Sequence, residues 1–128
     1  MRALEVVKAH YDANDRGDMA GMLAPLAEDI RWTEMEGFPC AGTYIGPREV
    51  FENVFARLAA EWDNYTCVVR ELHEAGNVVV GLGNYTATHR KTGKFVDARV
   101  AHVWRVEDGK AVSFEQFTDT VLFDHAAR

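Results

Sequence analysis

Three evenly placed turn clusters with hairpin chemistry divide the second half of this chain, and that placement is the strongest constraint on how it folds. After Trp62, the segments Glu74-Ala-Gly-Asn77, Arg90-Lys-Thr-Gly-Lys94 and Glu107-Asp-Gly-Lys110 divide an otherwise β-rich sequence into four runs. Each supplies a glycine for the left-handed backbone that a tight antiparallel connection needs, and two add Asn or Asp. The first half instead carries helical periodicity. Helices gathered ahead of a run of strands must cover one face of a sheet, not alternate with parallel strands, so the pattern predicts an α+β fold.

Leu4, Val7 and Tyr11 recur at helical spacing, with Ala3, His10 and Asn14 on the flank of the same stripe, predicting an amphipathic helix from Arg2 to Asn14. Gly17 permits a left-handed stop, and Asp18 is placed to cap a short second helix through Leu23. Ile30 and Trp32 alternate with Arg31 and Thr33, a strand pattern that puts Glu34 on the side of Trp32. Gly37 to Gly46 holds Pro39 and three glycines and reads as a loop or broken hairpin over a pocket mouth. Pro47 then suits a first helical turn, and Val50, Phe51, Val54, Phe55 and Leu58 form the apolar stripe of a lid helix ending near Trp62. Everything after Trp62 reads as β, with Gly81 and Gly83 marking a bend.

With 128 residues, 48% of them hydrophobic, the chain matches one domain spanning 1–128. Fourteen basic against 20 acidic residues give a net charge of -6, which works against binding nucleic acid or an anionic membrane surface. No apolar run reaches the ~18 residues of a membrane helix and no leader pattern precedes the first helix, so a cytoplasmic protein is expected. Cys40 and Cys67 have no metal spacing and are expected as free thiols. The histidines lack acidic or cysteine partners at metal-ligand spacing and no phosphate-binding loop is present, so neither metal nor cofactor is expected.

Taken in order, Tyr11, Gly17-Asp18, Glu28-Asp29 ahead of Trp32, Gly42-Thr-Tyr-Ile-Gly46-Pro, Val50, His102-Val-Trp-Arg-Val, Asp108-Gly-Lys110 and Gln116-Phe-Thr-Asp-Thr120 resemble the SnoaL-like branch of the nuclear transport factor two-like superfamily. The resemblance covers nearly the whole chain. It implies a cone-shaped curved antiparallel sheet packed on N-terminal helices around an apolar pocket, commonly as a homodimer. Its relatives include ketosteroid isomerases, polyketide cyclases, epoxide hydrolases, dehydratases and non-catalytic binding proteins; one fold hosts many functions.

Glu34 stands five positions after Asp29, where the resemblance implies a general base, and a carboxylate in an apolar pocket becomes a better proton acceptor. The alternative is a solvated loop-edge carboxylate. His102 shares strand parity with Val100, Trp104 and Val106, which puts it on the apolar face; the resemblance implies a hydrogen-bond donor to a developing enolate there, against the alternative of a satisfied core histidine. His10 precedes Gly17 by the spacing the isomerases use for an oxyanion tyrosine, whereas the tyrosine here is Tyr11, one helical position and about 100° away. Tyr11 also lies where an aromatic simply packs helix on sheet. Gln116 falls where cyclases and epoxide hydrolases place an aspartate; it cannot be an acid or base but can orient a ligand. Asp119 has the opposite parity and is assigned to a turn, edge or interface. Trp32, Phe51, Phe55, Trp104 and Phe114 complete the expected lining, though such aromatics also serve as plain core. The leading expectation is therefore cofactor-free proton transfer on a small apolar carbonyl compound, with Glu34 and His102 catalytic. A ligand carrier and a dimeric interaction domain are the alternatives.

Overall fold

The computed structural model describes residues 2–128 and shows a six-stranded curved, unclosed sheet with helices against it. Helix α1 (Ala3–Asp15) buries Val7, His10 and Tyr11. It ends at Gly17, whose φ of 70° is the left-handed stop expected from its missing Cβ. Asp18 then caps α2 (Met19–Leu23), accepting from the Gly21 N–H at 2.9 Å.

Strand β1 (Leu26–Glu34) buries Ile30, Trp32 and Glu34 on one face, as its alternation requires. The segment after it forms a broken hairpin. A turn buries Phe38 and Cys40, and β2 (Gly42–Ile45) returns antiparallel along β1. A helical stretch follows as α3 (Gly46–Val50), a π-helical turn (Phe51–Phe55) and α4 (Ala56–Glu61). The wider π turn changes which residues face inward: Val50, Val54 and Leu58 are buried, while Phe51 is 39% exposed.

The four β runs are β3 (Trp62–Ala75), β4 (Val78–His89), β5 (Phe95–Glu107) and β6 (Lys110–Thr118), a meander joined at the three expected turns. The sheet order is β2-β1-β6-β5-β4-β3, antiparallel except where β1 lies parallel to β6. Register shifts between Asp63 and Thr66 and between Val69 and Glu71 interrupt the β3–β4 pairing, and such bulges bend the strands that carry them. Gly83 lies opposite Val69, where a Cβ would stand 1.9 Å from the Val68 carbonyl oxygen. No side chain fits there.

The expectation of β structure to the C-terminus is corrected at its end. Thr120–Ala126 forms α5, whose Phe123 is fully buried against Phe38, with ring centroids at 4.8 Å, and Trp62, at 5.4 Å. Short, and with Val121 and Leu122 left exposed, α5 carries too little apolar periodicity to stand out in the sequence. It is held by the core it completes.

Candidate active site

Three inward-facing strands set two layers of side chains side by side. In the first, Trp32 of β1 pairs with Phe114 of β6, and Phe114 with Trp104 of β5. Trp32 and Phe114 stack with centroids 3.7 Å apart, and Trp104 meets Phe114 edge-on at 4.7 Å. In the second, His102 of β5 pairs with Gln116 of β6 on one side and Gly81 of β4 on the other. Gln116 donates from Nε2 to Glu34 Oε1 of β1 at 3.1 Å. Strand alternation thus produces an apolar layer and, two residues along, a polar one.

The polar layer borders a cavity of about 270 Å³ between the sheet, α1 and the π turn. Glu34, His102, His10, Tyr11, Trp32, Phe55 and Phe114 all reach its wall, as expected from sequence. Phe51, Trp104 and Gln116 do not. Phe51 is turned outward by the π turn, Trp104 is fully buried behind Tyr11, and Gln116 lies between Glu34 and Tyr85 as a bridge. None of the lining residues comes from positions 37–46, so that segment does not form the mouth; its contribution is Cys40, whose thiol reaches Glu34 Oε1 at 3.6 Å.

Glu34 is 3% exposed, and burial pushes its carboxyl up to about 8 despite hydrogen bonds from the Trp32 indole, at 3.0 Å, and the Cys40 thiol, which pull the other way. At neutral pH the group is mostly protonated. It can release or take up a proton close to physiological pH, the condition in which an acid–base group is most effective.

Across the layer, both nitrogens of His102 are engaged by tyrosines. The Tyr11 hydroxyl lies 2.6 Å from Nδ1 and the Tyr85 hydroxyl 2.6 Å from Nε2. His102 therefore has no free N–H for a ligand, and the expected direct donation from its ring is replaced by a shared chain of hydroxyls. Burial, with a smaller contribution from His10, lowers its pKa to about 3, so the imidazole is neutral and carries one proton. The Trp104 indole donates to the Tyr11 oxygen at 2.8 Å, and Gln116 Nε2 donates to the Tyr85 oxygen at 3.1 Å. Tyr11, His102 and Tyr85 then hold three protons for two hydrogen bonds, and one hydroxyl proton is left over. Both tyrosines line the cavity, as does Tyr65 beside Tyr85, so that proton lies where it can be offered to Tyr65 or to an oxygen placed in the cavity.

Gly81 makes this chain possible, since a Cβ at that position would stand 2.9 Å from the Tyr11 hydroxyl. The one-residue offset from His10 does not keep Tyr11 out of the site, because its long side chain reaches the gap above Gly81. Tyr85 was absent from the sequence expectations, yet its signal was present: it alternates in phase with Val79, Gly81 and Ala87 on the inward face of β4. Asp119 is exposed in the turn before α5, away from the cavity wall.

A second, more open groove of about 620 Å³ lies against Trp62 and His89. Its arginines are already paired, Arg57 with Glu61 at 3.6 Å and Arg90 with Asp63 at 3.3 Å, and it has no convergent buried polar groups like those around Glu34. Among the described residues, no group of three or more His, Cys, Asp or Glu side chains is set to hold a metal ion, and no helix is long and apolar enough to cross a membrane.

Known proteins of the same shape are numerous. An NTF2-like protein from Burkholderia thailandensis is 53% identical, with a TM-score of 0.98, over 100% of this chain and 98% of that one. TerC, crystallised with polyporic acid, is 28% identical with a TM-score of 0.85, over 98% of this chain and 97% of that one. Patulin synthesis protein F of Aspergillus clavatus is 35% identical over 85 residues, 64% of this chain; the match spans only 42% of that protein's length. The sequence pattern of the SnoaL-like domain matches residues 7–114, most of the chain and every residue that lines the cavity. The chain belongs to the SnoaL-like domain family.

Proposed function

We propose that this protein is a cofactor-free proton-transfer enzyme acting on a small apolar carbonyl compound, in the manner of an isomerase, cyclase or dehydratase. The observation that carries the reading is the pairing, across one cavity, of a buried carboxyl held near pKa 8 with two tyrosine hydroxyls that share a single neutral imidazole. Glu34 removes a proton next to the carbonyl when ionised and returns it at another carbon. One of the hydroxyls meets the oxygen on which negative charge grows. A donor already aimed at that position in a water-poor site stabilises the transition state more than the neutral ground state.

On this reading His102 is a positioning residue: it fixes Tyr11 and Tyr85 and does not touch substrate. Gln116 likewise orients Glu34 and Tyr85 from behind. Epoxide hydrolysis is less well served, because the second carboxylate it would use is replaced by Gln116. A volume of about 270 Å³ lies at the small end of the ~300–1,000 Å³ typical of ligand pockets. That suits a small molecule, and TerC, crystallised with polyporic acid, offers a precedent for a small-molecule ligand in a similar fold. The homodimer implied by the family resemblance belongs to the same proposal. Phe117, 46% exposed on the outer face of β6, gives that face apolar area, and loss of dimer in Phe117→Glu by sedimentation is the expected outcome.

The test is deuterium uptake at the α-carbon of 2-tetralone in heavy water. Catalysed uptake that falls about 10²- to 10⁴-fold in Glu34→Gln supports the enzyme. Binding without catalysed uptake supports a carrier instead, and no binding across a panel of small ketones removes the pocket reading.

A further inference from the structure

His10 is 4% exposed, lines the cavity and is used by none of the chemistry above. Its Nδ1 lies 2.8 Å from the carbonyl oxygen of Met22. A carbonyl oxygen can only accept, so the ring N–H donates from Nδ1, and this settles the tautomer. Burial holds the imidazole neutral, lowering its pKa to about 4, so no second proton is present. Nε2 is therefore a bare lone pair with no hydrogen-bond partner among the described residues. Among the described residues, Trp62 Nε1 is the fully enclosed side-chain nitrogen or oxygen that lacks a partner. His10 Nε2 is consequently not sealed in the core, and the cavity that this otherwise buried ring lines is where a partner can reach it.

The polarity of this end of the pocket is the reverse of the Tyr11–His102–Tyr85 end. That end offers a donor to an oxygen; His10 offers an acceptor, and a buried acceptor is left unsatisfied unless the ligand brings a proton to it. Tyr11 and Trp104 meet the His10 ring edge-on at 5.3 and 4.9 Å, which fixes the imidazole plane, while the Met22 carbonyl fixes its rotation. The lone pair is thus held in place before any ligand arrives.

We infer that the ligand of this cavity is a hydroxylated carbonyl compound, with its hydroxyl group donating to His10 Nε2 while its carbonyl oxygen accepts from the tyrosine hydroxyl. This rests on the reading of the cavity as a carbonyl-compound site and adds the second functional group. A ketone lacking the hydroxyl leaves His10 unpaired, so the site discriminates against it.

The experiment compares 3-hydroxyacetophenone, 3-methoxyacetophenone and acetophenone by calorimetry, with long-range proton–nitrogen correlation spectra of histidine-labelled protein. The free protein is expected to show His10 protonated at Nδ1 alone. The hydroxy compound is expected to bind about tenfold more tightly than the other two, and only it should move the Nε2 resonance toward the hydrogen-bonded position. In His10→Phe the tenfold advantage of the hydroxy compound over acetophenone disappears. Equal binding of all three with Nε2 unmoved overturns the inference and leaves the carbonyl-pocket reading standing. A proton on Nε2 in the free protein also overturns it, independently of any ligand. Failure of all three to bind removes the pocket reading and this inference together.

Discussion

The hydroxyl of Tyr11 lies 2.6 Å from Nδ1 of His102 across 91 residues of sequence, and the missing side chain of Gly81 leaves the space in which they meet. This contact joins α1 to the middle of the sheet. It also makes His102 a neutral link between two hydroxyls instead of a free donor.

Gly81→Ala tests that space. Its backbone is not in the left-handed region, so the substitution acts through the new Cβ alone, which displaces the Tyr11 hydroxyl. Catalysed deuterium uptake should fall by about a hundredfold, the cost of misplacing an aligned group by roughly 1 Å, with the fold retained by circular dichroism. Gly83→Ala, two residues away, drives its Cβ into the Val68 carbonyl and should instead destabilise the sheet by about 3 kcal/mol or more in urea titrations.

Replacing His102 with Phe keeps an aromatic in place but strips both tyrosines of their shared partner. Each hydroxyl still accepts from Trp104 or Gln116, so losing its bond to the imidazole should cost about 1 kcal/mol apiece in chemical denaturation. Tyr11→Phe and Tyr85→Phe each remove one hydroxyl. The variant with the larger loss of proton transfer identifies the tyrosine that meets the substrate oxygen.

The pH dependence of stability has two signs. Glu34 has its folded pKa raised from 4.5 to about 8, so its contribution is complete below pH 4.5 and is lost as pH rises through 8. Melting temperature should fall across that window in the wild type, with a smaller slope in Glu34→Gln. His10 and His102 are depressed from 6.5 to about 4 and about 3, so their contribution is present above pH 6.5 and is lost as pH falls through those values. Thermal melts from pH 3 to 9 should therefore show a maximum between the two losses. The enzyme reading adds that proton transfer rises with pH until Glu34 is ionised, with a midpoint near 8.

Phe123→Ala should destabilise the protein by about 3–5 kcal/mol, the usual cost of emptying a buried aromatic site. Phe123 packs on Phe38, Trp62 and Tyr85. An effect below about 1 kcal/mol in guanidinium unfolding would show α5 to be a loosely attached tail.

Much of the architecture was legible because it rests on local rules. Period-3.6 stripes gave α1 and the lid helix, Gly17 and Asp18 marked a stop and a cap, and glycine-containing clusters marked the three hairpins. Strand parity correctly put Glu34, His102 and Gln116 on buried faces. Phe51 escaped that logic because a π turn shifts the helical phase by a fraction of a turn, and nothing in Phe51–Phe55 signals it locally. Helix α5 escaped because its stability comes from the cleft that receives Phe123.

Sequence alone determined which strand residues face inward, since alternation is a property of the chain's own geometry. It could not determine which inward residues meet. That β1 lies parallel beside β6, that Gln116 therefore bridges Glu34 to Tyr85, and that Tyr11 crosses to His102 above Gly81 follow from strand order and register across the whole chain. Hydrogen-bond partners, and through burial the pKa of Glu34, are set by atoms distant in sequence. Those features of the site exist only once the sheet has assembled.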